Sequence, residues 1–389
     1  MSPHSVVVSD REFGELLKKL SDQEVYAIDT EFHRERTYFP KLALVQVAWG
    51  NELALIDPFA VDFSLFEVVL QGPQTAVLHA GDQDLEILQL VCGTVPQKLF
   101  DTQIAAGFMG LSSPSLASVH ERYLQISLEK GDRLTDWLAR PLTDAQLHYA
   151  ANDVAHLLKL QDVMIDELRQ RGRLQWALDE CEVSRLRSRG MRDPSQAWRR
   201  IKEVRSLKGQ ARAVAQSVAA WREVRAAEID VPVRYVLSDI AVCSIAQKPP
   251  TTVSDLGQLR GVERSIRQDI AEDLLRAVKK GIKAPIPTLD DAPVAPLEKD
   301  MRPAVALASA WVSQLARDLE IDPAILATRS DLEQFLRGDP AARLRSGWRS
   351  EVAGRAIEML LAGEAAVAFG GNGELVIEER SRRPYGSES

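Results

Sequence analysis

The chain has 389 residues, 45% hydrophobic and 27% charged, which excludes a disordered chain and suits two to four packed domains at roughly 100–200 residues each. Three well-separated cysteines with no Cys-x-x-Cys pair, no signal-peptide pattern at the N-terminus and no apolar membrane-length run argue against secreted, disulfide-framed and membrane-spanning classes and predict a cytoplasmic setting with no membrane partner. The net charge of −8 hides an asymmetry: residues 1–165 hold 12 Lys and Arg against 23 Asp and Glu, net −11, which leaves residues 166–389 at +3.

In chain order, Arg11–Leu20 has the periodicity of a helix, and Val25–Asp29, Leu42–Trp49 and Leu53–Ile56 read as strands rich in Val, Ile and Leu. Leu65–Leu70 follows as a helix, Thr75–His79 as a strand and Asp84–Val91 as a helix. From Ser115 the helical pattern dominates, so an α/β domain precedes helical ones. A long helix starts near Thr143, with Leu147, Ala150, Ala151, Val154, Leu158 and Ile165 as its apolar stripe.

Between Glu182 and Arg212 ten basic residues face three acidic ones. Such density suits a phosphate backbone, and equally a solvated helical connector. Pro/Ala-rich Ala284–Pro303 reads as a linker. Around it lies a weak repeat: Ile229-Asp230 precedes Ser238-Asp239 as Ile321-Asp322 precedes Ser330-Asp331, with Trp221 and Trp311 upstream and Leu259-Arg-Gly261 answered by Leu344-Arg-Ser-Gly347. A shared fold for the two segments is expected, and the tail from about Glu379 reads as frayed.

Three elements carry chemistry. Asp29 and Glu31 close the run Val-Tyr-Ala-Ile-Asp-Thr-Glu-Phe (25–32). Residues i and i+2 of a strand share a face, so both carboxylates project together from a buried strand end, which costs several kcal/mol unless a proton or a cation neutralises them. Asp82 suits an N-cap and Asp84 a first helical turn, where the helix dipole alone explains an acid. Tyr149 and Asp153 lie about 40° apart on their helix and off its apolar stripe, at about 100° per residue. Asp29, Glu31, Asp84 and Asp153 together carry the charge that two Mg²⁺ or Mn²⁺ ions would balance, through oxygen ligands suited to hard cations. A pair of such ions can activate water and stabilise a leaving oxygen, with Tyr149 orienting the water.

These motifs resemble the ribonuclease D family, within the DEDD superfamily of 3′→5′ exonucleases. Asp29-Thr-Glu31 is similar to its first exonuclease motif, His79-Ala-Gly-Asp-Gln-Asp84-Leu-Glu-Ile-Leu to the second and Tyr149-Ala-Ala-Asn-Asp153-Val-Ala-His-Leu-Leu to the third. Phe100-Asp-Thr-Gln-Ile-Ala-Ala and Lys130-Gly-Asp-Arg-Leu-Thr-Asp-Trp-Leu-Ala-Arg-Pro-Leu are family-like as well. Ala220-Trp221-Arg, Val231-Pro232, Val236-Leu-Ser-Asp239, Pro249-Pro250-Thr and Leu259-Arg-Gly-Val resemble the HRDC domain of ribonuclease D and RecQ-type helicases, with Glu263 a departure. The resemblance implies an α/β RNase H-like exonuclease domain followed by two all-helical HRDC-type domains, the second divergent. The expected boundaries are 1–175 for the exonuclease, 176–207 for a basic connector, 208–282 and 304–380 for the HRDC-type domains, 283–303 for the linker and 381–389 for the tail.

It further implies that Asp29, Glu31, Asp84 and Asp153 bind two divalent ions, that Tyr149 positions water, and that Thr30 and Phe32 touch the terminal nucleotide. RNA 3′ ends, transfer-RNA precursors in particular, are the implied substrate, clamped by the helical domains. Related exonucleases place a histidine five residues before the last aspartate, and His148 has that spacing. It would point about 140° from Asp153 on a regular helix, which favours Tyr149. His79 reads as a packed strand-end residue. Two alternatives stand beside the exoribonuclease: the same chemistry on single-stranded DNA, separable with matched oligonucleotides, and an inactive RNA-binding adaptor, which would release no mononucleotides.

Overall fold

The short apolar runs before residue 110 form one mixed sheet in the computed structural model, which describes residues 6–128, 135–187, 189, 193–262, 268–287 and 301–380. Its strands are β1 (Val6–Val7), β2 (Val25–His33), β3 (Lys41–Trp49), β4 (Glu52–Ile56), β5 (Thr75–Leu78) and β6 (Lys98–Asp101), in the order β1-β4-β3-β2-β5-β6. β2 runs antiparallel to β3 and parallel to β5. It continues four residues past the Asp29 end expected from sequence, because β3 pairs with it as far as His33. β5 pairs only with Val25–Ala27, so beyond Ala27 one edge of β2 is open to other partners. The two- and four-residue strands β1 and β6 carry too little periodicity to be read in advance.

The two faces of β2 point into different cores. Tyr26 and Ile28 pack with Phe13, Leu16 and Leu20 of the helix Asp10–Ser21 and with Leu85 and Leu88 of the helix Asp82–Cys92. Ala27 turns the other way, toward Val154, Leu157 and Leu160. Strand alternation therefore sends Asp29 and Glu31 to the face covered by the helix Asp144–Ala155, and Thr30 to the face of the helix Asp82–Cys92.

The expected single helix from Thr143 is two. Thr143 caps Asp144–Ala155 through a capping box with Gln146, and a break at His156 (φ −121°) separates it from Leu157–Gln170. The break resets the helical phase. Leu157, Leu160 and Met164 become the buried ridge, and Leu158 and Ile165 are only half-buried.

The basic stretch 176–207 is shared between two cores. Helix Leu174–Leu186 packs on the α/β domain, where Cys181 is buried and its Sγ accepts from Asp101 N at 3.3 Å. The 3₁₀ segments Pro194–Arg200 and Lys202–Ser206 insert Trp198, Ile201 and Val204 among Val214, Val218, Ile245 and Leu274 of the first helical unit.

That unit's order of elements recurs. Helix Gln210–Glu228, the four-residue helix Val233–Val236 and the Ser238-capped helix Asp239–Gln247 are matched by Arg302–Asp318, Pro323–Leu326 and the Thr328-capped Arg329–Leu336. Trp221 and Trp311, the left-handed turn residues Asp230 (φ 48°) and Glu320 (φ 49°), and the caps Ser238 and Thr328 each stand 90 residues apart. The pairing of Ile229-Asp230 with Ile321-Asp322 was thus two residues out of register; backbone conformation, not side-chain identity, marks the equivalence. The second unit is also not all-helical. It ends in a hairpin of β7 (Ala365–Gly371) and β8 (Glu374–Glu379), turned at Asn372-Gly373 with both φ positive, as a two-residue hairpin loop requires. Most of the Pro-rich linker, Glu263, the start of the Lys130 motif and the tail 381–389 lie outside the described residues.

The second unit shares one continuous core with the α/β domain, in which Trp311, Phe335 and Ile357 join Phe108, Leu157 and Ala177. Trp348 stands between Phe108 (ring centroids 5.2 Å apart) and Trp176 (5.1 Å). Gly107 lets Ile325 pack against its backbone; a Cβ there would force the tip of that side chain to move. Glu180 accepts from Arg349, from Arg343 at 3.1 Å and from Trp348 Nε1 at 3.4 Å. Those charges depress its carboxyl below the usual range despite burial. No helix among the described residues is long and apolar enough to cross a membrane.

Removing one partner of a buried ion pair strands the other charge and costs about 3–5 kcal/mol. Arg349 is only 7% exposed, so Glu180→Ala should cost about 3 kcal/mol, read from the midpoint shift in urea unfolding. A loss below ~1 kcal/mol would mean that the network contributes no more than a surface pair.

Candidate metal centre and active site

Asp29 and Glu31 meet Asp153 where β2 crosses the helix Asp144–Ala155. One ligand oxygen from each lies within 4.8 Å of the other two, the one such acidic group among the described residues. Ala150 and Ala151 are fully buried beneath that helix; their small side chains let its backbone approach the sheet closely enough for Asp153 to reach the strand.

Asp84 arrives from the other side. The open edge of β2 leaves Thr30 N without a strand partner, and Asp84 Oδ1 accepts from it at 3.1 Å and from Thr30 Oγ1 at 2.5 Å. Asp84 thus lies outside the 4.8 Å group but is pinned to its backbone. Asp82 is not the N-cap of this helix: Gly81 occupies that position and Asp82 is the first helical residue, paired with Arg187 at 3.1 Å and Arg189 at 2.9 Å.

A residue with no role assigned from sequence holds this turn. Asp101 accepts from Ala80 N at 3.0 Å and Gly81 N at 2.9 Å, and it caps the next helix through Gln103 N at 2.8 Å. Ala80 is left-handed (φ 58°), a conformation the two bonds from Asp101 secure. Its signal was present in Phe100-Asp-Thr-Gln, an acid directly before a helix start. His79 is held by Thr102 Oγ1 at 2.9 Å and Pro114 O at 3.1 Å, with its pKa lowered by burial. It is a packed strand-end residue, as expected.

Thr30 is 5% exposed and its hydroxyl donates to Asp84, because alternation turns it away from Asp29 and Glu31. Phe32 stands half-buried just past a bulge between Glu31 and Phe32. Tyr149 is half-buried one turn before Asp153, its ring 6.1 Å from that of Trp137, and His148 is exposed.

The electrostatics follow from crowding like charges out of water. Burial first, then Asp84, Asp153 and Glu31, drive the Asp29 carboxyl well above its ordinary range. Burial and the charges of Asp153 and Asp84 push Glu31 up to about 8. Asp84 is raised to about 6 by burial, against the lowering effect of Thr30. An all-oxygen, acid-only donor set in which Asp29, Glu31 and Asp84 resist ionisation fits a hard divalent cation.

Two family models match the chain: a 3′→5′ exonuclease over residues 5–169 and the HRDC domain over 211–278. Fold and site thus define a 3′→5′ exonuclease of the DEDD type, which implies dependence on divalent metal. Over nearly its whole length the chain is similar to proteins named ribonuclease D. Identity is 36% with that of Jannaschia sp. (strain CCS1), over 97% of this chain and 100% of the relative, and 34% with that of Escherichia coli (strain K12), over 92% and 98%. The crystal structure of Escherichia coli RNase D, an exoribonuclease involved in structured RNA processing, matches with a TM-score of 0.81 over 92% of this chain and 98% of that one. The chain belongs to the ribonuclease D family of 3′→5′ exoribonucleases.

The raised carboxyls make a prediction about stability. Glu31 titrates near 8 when folded against an ordinary 4.5, so the folded state holds that proton more tightly. That contribution to stability is full below 4.5 and is lost as pH rises toward 8. In EDTA, Tm should fall across that window. Glu31→Gln should flatten the decline, melt higher than the parent at pH 8, and lose the upward shift that Mn²⁺ gives the parent. A parent Tm that does not fall with pH would contradict the burial of these charges.

Proposed function

We propose that this enzyme trims the 3′ ends of structured RNA, transfer-RNA precursors in particular, by hydrolysis assisted by two divalent ions (Mg²⁺ or Mn²⁺), in the cytoplasm, releasing 5′-mononucleotides. The observation that carries the reading is the meeting of Asp29, Glu31 and Asp153 within 4.8 Å, with Asp84 fixed beside them through Thr30. The substrate class follows from the Escherichia coli relative and its part in structured RNA processing.

Asp29, Glu31, Asp84 and Asp153 would hold the ions. Bound there, such ions activate water and neutralise charge on the phosphate and the leaving oxygen. The chain's own part is positioning. β2 fixes Asp29 and Glu31 on one face, Thr30 holds Asp84 in one rotamer, and the Asp144–Ala155 helix presents Tyr149 and Asp153 one turn apart. The Tyr149 hydroxyl orients the attacking water by hydrogen bonding. Attack on the last phosphodiester releases the upstream 3′-oxygen and a 5′-mononucleotide. Phe32, half-buried beside Glu31, is the remaining aromatic for contact with the terminal nucleotide.

Asp29→Asn and Asp153→Asn should each abolish EDTA-sensitive mononucleotide release while leaving RNA binding nearly intact. Wild-type rates from either would remove the carboxylate assignment. Under saturating Mn²⁺, Tyr149→Phe should lose about 10²-fold or more in turnover, the size of a positioned proton-transfer or orienting group, and His148→Ala little. The reverse order would transfer the role to His148.

A further inference from the structure

We propose that the segment Lys202–Lys208, outside both family-matched regions, is a phosphate-binding ridge that holds the upstream strand of the RNA; this rests on the RNA reading above. The segment runs through the 3₁₀ helix Lys202–Ser206. A 3₁₀ helix has three residues per turn, so positions three apart lie along one edge. Ile201, Val204 and Leu207 occupy one such edge and are at most 4% exposed, locked into the core of the first helical unit. The next edge carries Lys202 and Arg205, with Lys208 just past the helix end, and all three are exposed. The buried edge fixes the segment in rotation, so the basic edge has no choice but to face water.

Their neighbours in the same stretch behave differently. Arg185 pairs with Glu182, Arg187 and Arg189 with Asp82, and Arg200 with Glu223. Lys202, Arg205 and Lys208 make no ion pair among the described residues, and the one acid between them is Glu203. With Arg185, Arg187, Arg189 and Arg200 held by the protein's own acids, these three are left available.

The ridge also has company. Gln210 Nε2 donates to Gly281 O at 2.8 Å and Ala284 O at 3.0 Å, which sets Lys208 beside the last turn of the helix Gln268–Lys283, where Lys279, Lys280 and Lys283 are exposed. Cations there complement the helix dipole, but three within five residues also extend the positive surface. One 3₁₀ turn rises about 6 Å, comparable with the separation of neighbouring phosphates along a strand. The partner is a polyanion with regular charge spacing rather than an acidic protein surface, and the acidic exonuclease domain, net −11 over residues 1–165, cannot supply this attraction itself.

The test compares the parent with the triple variant Lys202→Gln, Arg205→Gln, Lys208→Gln. Binding of a long single-stranded RNA is measured in EDTA, without turnover, across a salt series. Three lost phosphate contacts at about 0.7 each make the log–log salt slope about 2 units shallower, while Mn²⁺-dependent turnover of a trinucleotide stays at the parent rate. The charge-keeping variant Lys202→Arg, Lys208→Arg should bind as the parent does. An unchanged slope in the triple variant overturns the proposal, as does equal loss in the charge-keeping variant, which would report a misfolded segment. Should the parent fail to degrade the trinucleotide, the hydrolytic reading fails and the binding arm still decides the ridge.

Discussion

Mutual repulsion of buried carboxylates is the constraint around which the exonuclease domain is organised. Asp29, Glu31 and Asp153 keep an oxygen each within 4.8 Å of the others, with Asp84 close enough to raise the pKa of both β2 acids. Beyond burial itself, the like charges in that group repel one another and raise the Asp29 and Glu31 carboxyls further. What holds it is the apolar packing on either side: Tyr26 and Ile28 on one face of β2, Ala150, Ala151 and Val154 beneath the helix on the other. Hydrophobic burial thereby keeps the acids together at neutral pH, and a divalent cation gains affinity from the repulsion it relieves.

The surrounding polar groups do two jobs. Thr30 and Asp101 pin backbone and side chains by direct hydrogen bonds. The arginines near the site are spent instead: Arg187 and Arg189 on Asp82, Arg34 on Glu86. A free guanidinium beside the cluster would neutralise it and compete with a cation. Keeping those arginines paired preserves the negative field, and it leaves attraction for a polyanionic substrate to charges farther along the chain.

How much of this was legible in the sequence depends on the range of the interaction. The i, i+2 spacing of Asp29 and Glu31 and the shared face of Tyr149 and Asp153 are local geometry, so they could be read directly. The role of Thr30 was not legible, because it depends on β5 ending after pairing with Ala27 and so freeing the Thr30 N–H for an acid 54 residues away. The break at His156 likewise has no proline or glycine to announce it. The hairpin at Asn372-Gly373 did carry a local signal, an Asn-Gly turn between apolar runs, whereas the all-helical expectation came from the resemblance to HRDC domains. In the repeat, the tryptophans gave the true offset and the Ile-Asp pairs a false one, because the conserved quantity was a left-handed turn that Asp230 and Glu320 both adopt.

The two helical units are attached in chemically different ways, and this divides their roles. The second is fused to the exonuclease core through Trp348, Phe335 and the Glu180 network, an interface of the hydrophobic kind that does not slide. The first meets the segment after β2 mainly through polar contacts. Tyr38 Oη donates to Glu223 at 2.9 Å, and Asp230 accepts from Tyr38 N and Phe39 N at 3.1 and 3.0 Å. A cavity of about 560 Å³ lies beside them, lined by Arg34, Phe39, Arg200 and Val233 among others. Hydrogen bonds around a void are weaker constraints than a packed core, so any adjustment to RNA of varied shape falls to the first unit. Because Tyr38 and Phe39 lie in the loop that joins β2 to β3, that adjustment reaches the strand that carries Glu31, whereas the second unit packs against the helix that follows Asp153.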